Sequence, residues 1–299
     1  MIVRPRRSAL YVPGSNTRAL AKSRTLDADA LIFDLEDAVA PGDKADARDA
    51  VVRAVVEGGF GFRDCVVRIN ALDTPWGQDD LAAAAGVMPD AILLPKVSSP
   101  LQVLEAARIL ATIGAAEKVR LWAMVETPAA VLGIADIART GADPTSRLDV
   151  LVMGTNDLAK DLRLRVGPGR EPLQVWLATS VAAARCHGLD ILDGVFNGLD
   201  DLAGLAAEAR QGRDFGMDGK TCIHPGQIAA CNDAFSPEPA ELAWACRIVA
   251  AFDGPQGAEL NVLRIDGQMV ERLHVEAARR LLAMEELLAQ RRSAGALTR

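Results

Sequence analysis

Eight short runs of apolar and β-branched residues recur along this chain, and most lack strict polar alternation. They fall at residues 8–12, 30–35, 65–69, 91–94, 120–125, 149–153, 189–193 and 220–223. A strand that is apolar on both faces has to be covered on both faces, as in a parallel sheet flanked by helices. The segments between the runs carry Ala, Leu, Arg and Glu at helical spacing. One is 100–110, which follows Ser98 and Ser99 as capping candidates, and another is 201–210. Eight strand–helix units over roughly 220 residues predict an α/β fold of the (β/α)8 TIM-barrel type, with a doubly wound open sheet as the competing architecture.

From about residue 236 the rhythm changes. Pro237 and Pro239 punctuate the chain, 240–251 reads as a helix, 254–267 as a loop, 271–290 as a long amphipathic helix, and 291–299 as a frayed tail. The expected division is therefore a barrel catalytic domain at 1–235 and a C-terminal helical arm at 236–299, acting as a lid or in oligomerisation.

Composition narrows the function classes. With 299 residues, 50% of them hydrophobic and 24% charged, the chain can bury a substantial core, which excludes a disordered or fibrous protein. A net charge of −7 argues against nucleic acid as a partner. Cys65, Cys186, Cys222, Cys231 and Cys246 form no CxxC pair and are odd in number, which reads as reduced thiols. The apolar run before Pro13 is too short for a signal peptide, and no stretch reaches the length of a membrane span. A soluble, cytoplasmic protein is expected.

In such a barrel the chemistry sits at the C-terminal ends of the strands. Those positions read Pro13-Gly14-Ser15-Asn16, Asp34-Leu35-Glu36-Asp37, Arg68-Ile69-Asn70, Pro95-Lys96, Glu126-Thr127-Pro128, Gly154-Thr155-Asn156-Asp157, Asp193-Gly194 and Lys220 through His224-Pro225. A solvated rim accounts for two or three charges, not for all of these. Glu126 and Asp157 end sequential strands, so their carboxylates can converge on a hard cation such as Mg²⁺. The alternative is an ordinary carboxylate pair salt-bridged to Arg or Lys. Arg68 offers a planar fork to a carboxylate or enolate oxygen, or else pairs with Glu36 or Asp37. Lys96 has the position of a Schiff-base lysine, with Lys160 and Lys220 weaker candidates; a structural or substrate-binding role is the plainer reading. Of the three histidines only His224 belongs at the mouth, and the glycines of Val166-Gly167-Pro168-Gly169-Arg170 make no phosphate fingerprint.

Several stretches, in order along nearly the whole chain, carry a family resemblance: RRSALYVPGSNTRALAKS, ALIFDLEDAV, RINALDTPW, ILLPKV, MVETPAAV, GTNDLAKDL, and GKTCIHPGQI with the following Phe235-Ser236-Pro237. Together they resemble the citrate lyase beta-chain-like proteins of the HpcH/HpaI aldolase superfamily, which include malyl-CoA and citramalyl-CoA lyases. The resemblance implies a Mg²⁺-dependent barrel that makes or breaks a carbon–carbon bond between a 2-oxo acid and an acyl-CoA, assembled as a homotrimer or hexamer. It places Glu126 and Asp157 as metal ligands and Arg68 as the substrate-binding arginine. Asn156 and Asp157 would add backbone contacts to the oxo-acid carboxylate. Tyr11, Asn16, Lys22, Ile223 and His224 fall where relatives contact the CoA thioester, and Glu36 and Asp37 match the acidic groups behind Arg68. Some relatives have arginine at the Asn16 position, a contact that Arg18 can take over here.

A further departure lies in the arm. Many relatives carry there an aspartate that serves as acid/base in the neighbouring subunit's site, and this chain has Glu271. The leading expectation is a lyase of malyl-, methylmalyl- or citramalyl-CoA type, with Arg68 stabilising the enolate and Glu271, or a water held by Glu36 and Asp37, moving the proton. Arg4, Arg6, Arg7, Arg18 and Lys22 would form a local phosphate-binding patch. Two alternatives are a thioesterase of malyl-type CoA esters on the same site, and a citrate lyase beta-like subunit that needs an acyl-carrier partner.

Overall fold

The structure, a computed structural model, describes residues 4–254 and 259–297. Its strands are β1 (Ser8–Pro13), β2 (Ala30–Asp34), β3 (Asp64–Arg68), β4 (Ala91–Leu94), β5 (Arg120–Val125), β6 (Leu148–Met153), β7 (Asp190–Asp193) and β8 (Gly219–Cys222). All pair in parallel and in sequence order, and β8 returns to β1. The sheet is therefore a closed (β/α)8 barrel, and the open-sheet alternative is excluded. Closure removes the two unpaired edges an open sheet would leave.

Around it run α1 (Thr17–Ser23), α2 (Lys44–Glu57), α3 (Gly77–Gly86), α4 (Pro100–Thr112), α5 (Pro128–Leu132), α6 (Ile134–Arg139), α7 (Thr155–Asp161), α8 (Glu171–Cys186), α9 (Leu202–Asp214) and α10 (Ile228–Phe235). Helix α4 starts behind Ser99, where the Gln102 side chain accepts the backbone N–H groups of Ser98 and Ser99, at 2.7 and 3.2 Å.

Strand parity decides which residues face the barrel axis. Ile32, Val66, Leu93, Trp122, Met124 and Val152 fill the interior, with Tyr11 packed against them. Their neighbours in sequence, among them Leu31, Phe33, Val67 and Ile92, face the helices in a second, larger core. A bulge after the Leu121–Leu148 pair sets Trp122 opposite Val150 rather than Asp149, which keeps Val150 and Val152 in phase with the interior. Carried one step further up the strands, the inward parity selects Asp34, Arg68 and Glu126.

The opposite end of the barrel is closed by Arg6. Its buried guanidinium pairs with Asp64, Asp149 and Asp190, at or near the starts of β3, β6 and β7, and lies over the Trp122 ring. Arg7 is bound just as firmly to Asp29. Both precede β1, so they sit at the end away from the strand C-termini. This corrects the expectation that Arg6 and Arg7 belong to a local phosphate-binding patch: both guanidinium groups are held by aspartates.

Among the described residues, those from Ser236 onward, with Arg4 and Pro5, form a second compact unit. It contains α11 (Pro239–Asp253), β9 (Val262–Ile265), β10 (Gln268–Glu271) and α12 (Leu273–Leu297), packed around Ile248, Phe252, Val270 and Val275. The loop expected at 254–267 is partly a β-strand: β9 and β10 pair as a hairpin across Asp266-Gly267, both at positive φ. An Asp-Gly pair between apolar runs is a strong hairpin signal. Glu271 accordingly ends a strand rather than beginning the long helix, and that helix continues to Leu297 where a frayed tail was expected. The last two residues of that tail, 298–299, and residues 255–258 of the expected loop lie outside the described residues.

The five cysteines are free, with Cys222 and Cys231 in buried contact at 3.5 Å. Among the described residues no helix is long and apolar enough to cross a membrane.

Candidate active site

Asp34 and Arg68 are register partners on β2 and β3, and both point into the barrel mouth. Arg68 donates from Nε and Nη2 to the two Asp34 oxygens, each at 2.7 Å. The same carboxylate accepts the backbone N–H groups of Glu36 and Ala38, at 2.9 and 3.1 Å. Asp34 thus orients the guanidinium and shapes the loop that follows β2. The sequence places it among the strand-end residues without a role, since Glu36 and Asp37 stand closer to the loop tip. The available signal was its parity, which matches that of Arg68.

With Nε and Nη2 engaged, Arg68 turns Nη1 towards Glu36 Oε2 (2.8 Å) and Asp37 (3.4 Å). The Glu36 contact is an ion pair without hydrogen-bond geometry, so this buried oxygen has a charge beside it but no hydrogen bond. Burial, outweighing Arg68, pushes the Glu36 carboxyl up to about 8. Tyr11 lies beneath, its ring 4.8 Å from the guanidinium carbon. Behind the loop, Lys44 Nζ donates to the carbonyls of Leu35 and Glu36, at 2.8 and 2.7 Å.

Glu126 follows β5 directly and is buried. Its Oε1 accepts the backbone N–H of Lys96 at 2.7 Å, and Lys96 itself stands at φ +50. That left-handed conformation costs a non-glycine residue about 1 kcal/mol or more. Gly154 makes room on the other side: a Cβ there would stand 2.4 Å from Glu126 Cβ and 2.5 Å from Oε2. Burial raises the Glu126 carboxyl above the ordinary glutamate range.

Asp157 is not on the strand but in the first turn of α7, three residues after Gly154. The link between the two carboxylates is Lys96. Its ammonium lies 3.2 Å from Asp157 and 3.8 Å from Glu36. Burial works against the Lys96 charge, but Glu36 and Asp157 outweigh it and hold its pKa above the lysine range. An amine kept protonated is a poor nucleophile, which argues against Schiff-base chemistry at Lys96.

Lys220 is not at the mouth at all. It faces the helices, completely buried, and donates to Asp193 (3.0 Å), Glu208 (2.7 Å) and the Gly194 carbonyl (2.6 Å). Arg170 completes this network on Asp193.

The remaining predicted residues make no contact with Glu126. Asn16 caps α1 by accepting Ala19 N–H at 3.0 Å, and Lys22 is exposed in that helix's last turn. Ile223 is exposed, its N–H donated to Gln227 Oε1. His224 is exposed, and its Nδ1 accepts from Gly226 N–H at 3.1 Å. The Asn156 side chain is held by Asn197. Glu271 is exposed at the end of β10 in the other unit. A cavity of about 210 Å³ lies beside the mouth, walled by Asn70, Leu72, Asp73, Pro95, Val97 and Glu105, and touches none of the predicted site residues.

The donor set fits a divalent cation. Asp34, Glu36, Asp37, Glu126 and Asp157 face Arg68 and Lys96, an excess of negative charge in a half-buried cleft. Two of these carboxyls are pushed towards protonation by burial, and Glu36 Oε2 lacks a hydrogen bond. Among the described residues no three His, Cys, Asp or Glu side chains form a cage. One or two carboxylates, with water and substrate completing the shell, is the usual arrangement for Mg²⁺.

Comparison with known proteins gives consistent matches. The HpcH/HpaI aldolase/citrate lyase family profile matches residues 7–225. A (3S)-malyl-CoA thioesterase of Cereibacter sphaeroides is 48% identical over 95% of this chain and 96% of its own length. The citrate lyase subunit beta of Escherichia coli is 32% identical over 95% of this chain and 94% of its own. Among solved structures, CitE of Mycobacterium tuberculosis in complex with magnesium, acetoacetate and coenzyme A superposes with a TM-score of 0.75. It is 32% identical and covers 94% of this chain and 98% of that one.

Proposed function

The chain belongs to the HpcH/HpaI aldolase/citrate lyase family, and from that membership we propose that it hydrolyses a malyl-type CoA thioester with the help of Mg²⁺. This gives the leading place to hydrolysis, ahead of the carbon–carbon lyase reaction expected from sequence motifs alone. The 48% likeness to a (3S)-malyl-CoA thioesterase, set against 32% to a citrate lyase subunit, supports the order.

One structural arrangement supports the reading. Lys96 meets Glu126 through its backbone N–H and Asp157 and Glu36 through its ammonium, so these carboxylates gather around a single residue at the mouth. Glu126 and Asp157 would hold Mg²⁺, which when bound supplies Lewis acidity and a chelating centre for the 2-hydroxy carboxylate end of the substrate. Arg68, locked by Asp34, directs Nη1 at the negative charge that develops on the thioester oxygen as water adds. A water held by Glu36 and Asp37 adds to the thioester carbon and gives its proton to Asp37, and the C–S bond breaks as that proton passes to the departing CoA sulfur. Backbone N–H groups of Asn156 and Asp157, free of helix acceptors at the start of α7, bind the substrate carboxylate. Tyr11, Asn16, Lys22, Ile223 and His224 line the path of the CoA chain. Glu271 is the further acid–base group carried over from the family, on a C-terminal arm that serves as lid or contact in a homo-oligomer.

The test is direct. Purified protein with Mg²⁺ and (3S)-malyl-CoA is expected to release free CoA and malate, and EDTA to stop it. Acetyl-CoA and glyoxylate in equal amounts would instead establish the lyase reading, which the likeness to citrate lyase subunit beta favours. Activity appearing only after an acyl-carrier chain is added would point to the subunit reading.

A further inference from the structure

Asn156 and Asn197, 41 residues apart, form a reciprocal clasp between the neighbouring loops that follow β6 and β7. Asn197 Nδ2 donates to Asn156 Oδ1 at 2.8 Å, and Asn156 Nδ2 donates to Asn197 Oδ1 at 3.2 Å. Both carboxamides are exposed, yet each supplies one donor and one acceptor to the other. Asn156 immediately precedes Asp157 in the first turn of α7, a helix of seven residues and too short to hold its own orientation.

The loop bearing Asn197 is braced from beneath. Gly194 packs so closely on Thr155 that a Cβ would stand 2.3 Å from its Oγ1, and the Gly194 carbonyl is held by buried Lys220. Two residues on, the Phe196 carbonyl accepts from Gln227 Nε2 at 2.8 Å. The post-β7 loop is thus fixed to β8 and to the turn after it, and it presents Asn197 as a firm support for the post-β6 loop.

We infer that Asn197 is a positioning residue, holding the start of α7 so that the Asp157 carboxylate faces Glu126 across Lys96. The inference rests on the reading that Asp157 binds the divalent ion. Removing the clasp leaves Asp157 in place chemically but frees the turn that aims it, so the loss falls on cation affinity rather than on folding.

Mn²⁺ binding, followed by electron paramagnetic resonance without substrate, provides the test. In Asn197→Ala the Mn²⁺ dissociation constant is expected to rise roughly three- to tenfold, the worth of one or two exposed hydrogen bonds. The melting temperature should stay unchanged, and α7 amides in the metal-free protein should exchange faster by a similar factor. Asn156→Ala should reproduce both effects, and the double variant should add nothing further. Wild-type affinity in Asn197→Ala, or full additivity of the two substitutions, would overturn the assignment. Glu126→Gln in the same titration separates the two ideas: if it binds Mn²⁺ as wild type does, the metal reading falls and the role of Asn197 falls with it.

Discussion

Asp34 holds Arg68 through both carboxylate oxygens, at 2.7 Å to Nε and 2.7 Å to Nη2, across one register step of the barrel. The guanidinium is therefore presented to the mouth by a single nitrogen, and its aim depends on a residue that lies below the surface of the cleft.

Asp34→Ala should strip a buried cation of its main partner. A loss of about 3–5 kcal/mol in stability is expected, measured by urea denaturation. At temperatures where the variant remains folded, kcat/KM should fall about a hundredfold or more, because Arg68 is no longer aimed. A variant as active as wild type would show that Glu36 and Asp37 orient Arg68 unaided.

Gly154→Ala tests the space beside Glu126. The added methyl would collide with Glu126 Cβ at 2.4 Å and Oε2 at 2.5 Å, so the carboxylate must leave its place. Mg²⁺ binding by calorimetry should be lost as completely as in Glu126→Gln, with the fold retained by circular dichroism. Normal Mg²⁺ affinity in either variant removes Glu126 from the metal site.

Burial lifts the Glu36 carboxyl to about 8, against about 4.3 in an unfolded chain. The folded state then binds the extra proton between these values, and its contribution to stability is present below about 4.3 and lost as pH rises towards 8. In the metal-free protein the melting temperature should fall across that window, and Glu36→Gln should flatten the curve. Equal slopes for the two proteins would mean that Glu36 is ionised throughout.

Neither Lys96 nor Lys220 should form an imine. Treatment with a 2-oxo acid and borohydride is expected to leave the intact mass unchanged, since carboxylates hold both ammonium groups protonated. A stable adduct mapped to either lysine would reinstate covalent chemistry. Lys220→Met should cost about 3–5 kcal/mol, because it leaves Asp193 charged and buried with Arg170 as its main remaining cation.

The barrel was legible because it is written locally. Runs such as Ala91–Leu94 and Arg120–Val125 match the observed strands residue for residue, and the others lie within a residue or two. The hairpin at Asp266-Gly267 was equally local but went unread. Strand ends also brought Arg68, Glu36, Asp37, Lys96, Glu126 and Asp157 to notice, since charge closing an apolar strand needs a reason. What the spacing could not show was the partner of each. Arg6, Arg7 and Lys220 look like mouth cations in one dimension, yet three-dimensional pairing turns them into buried struts at the barrel floor and wall.

The amino-acid order by itself determined the number of strands, their parallel arrangement and the rim on which the polar residues gather, because hydrophobic periodicity and strand parity are properties of neighbouring residues. Tertiary structure alone decided that Asp34 grips Arg68 with both oxygens while Glu36 and Asp37 meet its third nitrogen, that the Lys96 backbone N–H meets Glu126, and that Asn197 clasps the turn carrying Asp157. Those choices depend on side chains from separate strands meeting at distances near 3 Å. Contacts between such distant positions exist only once the sheet has closed.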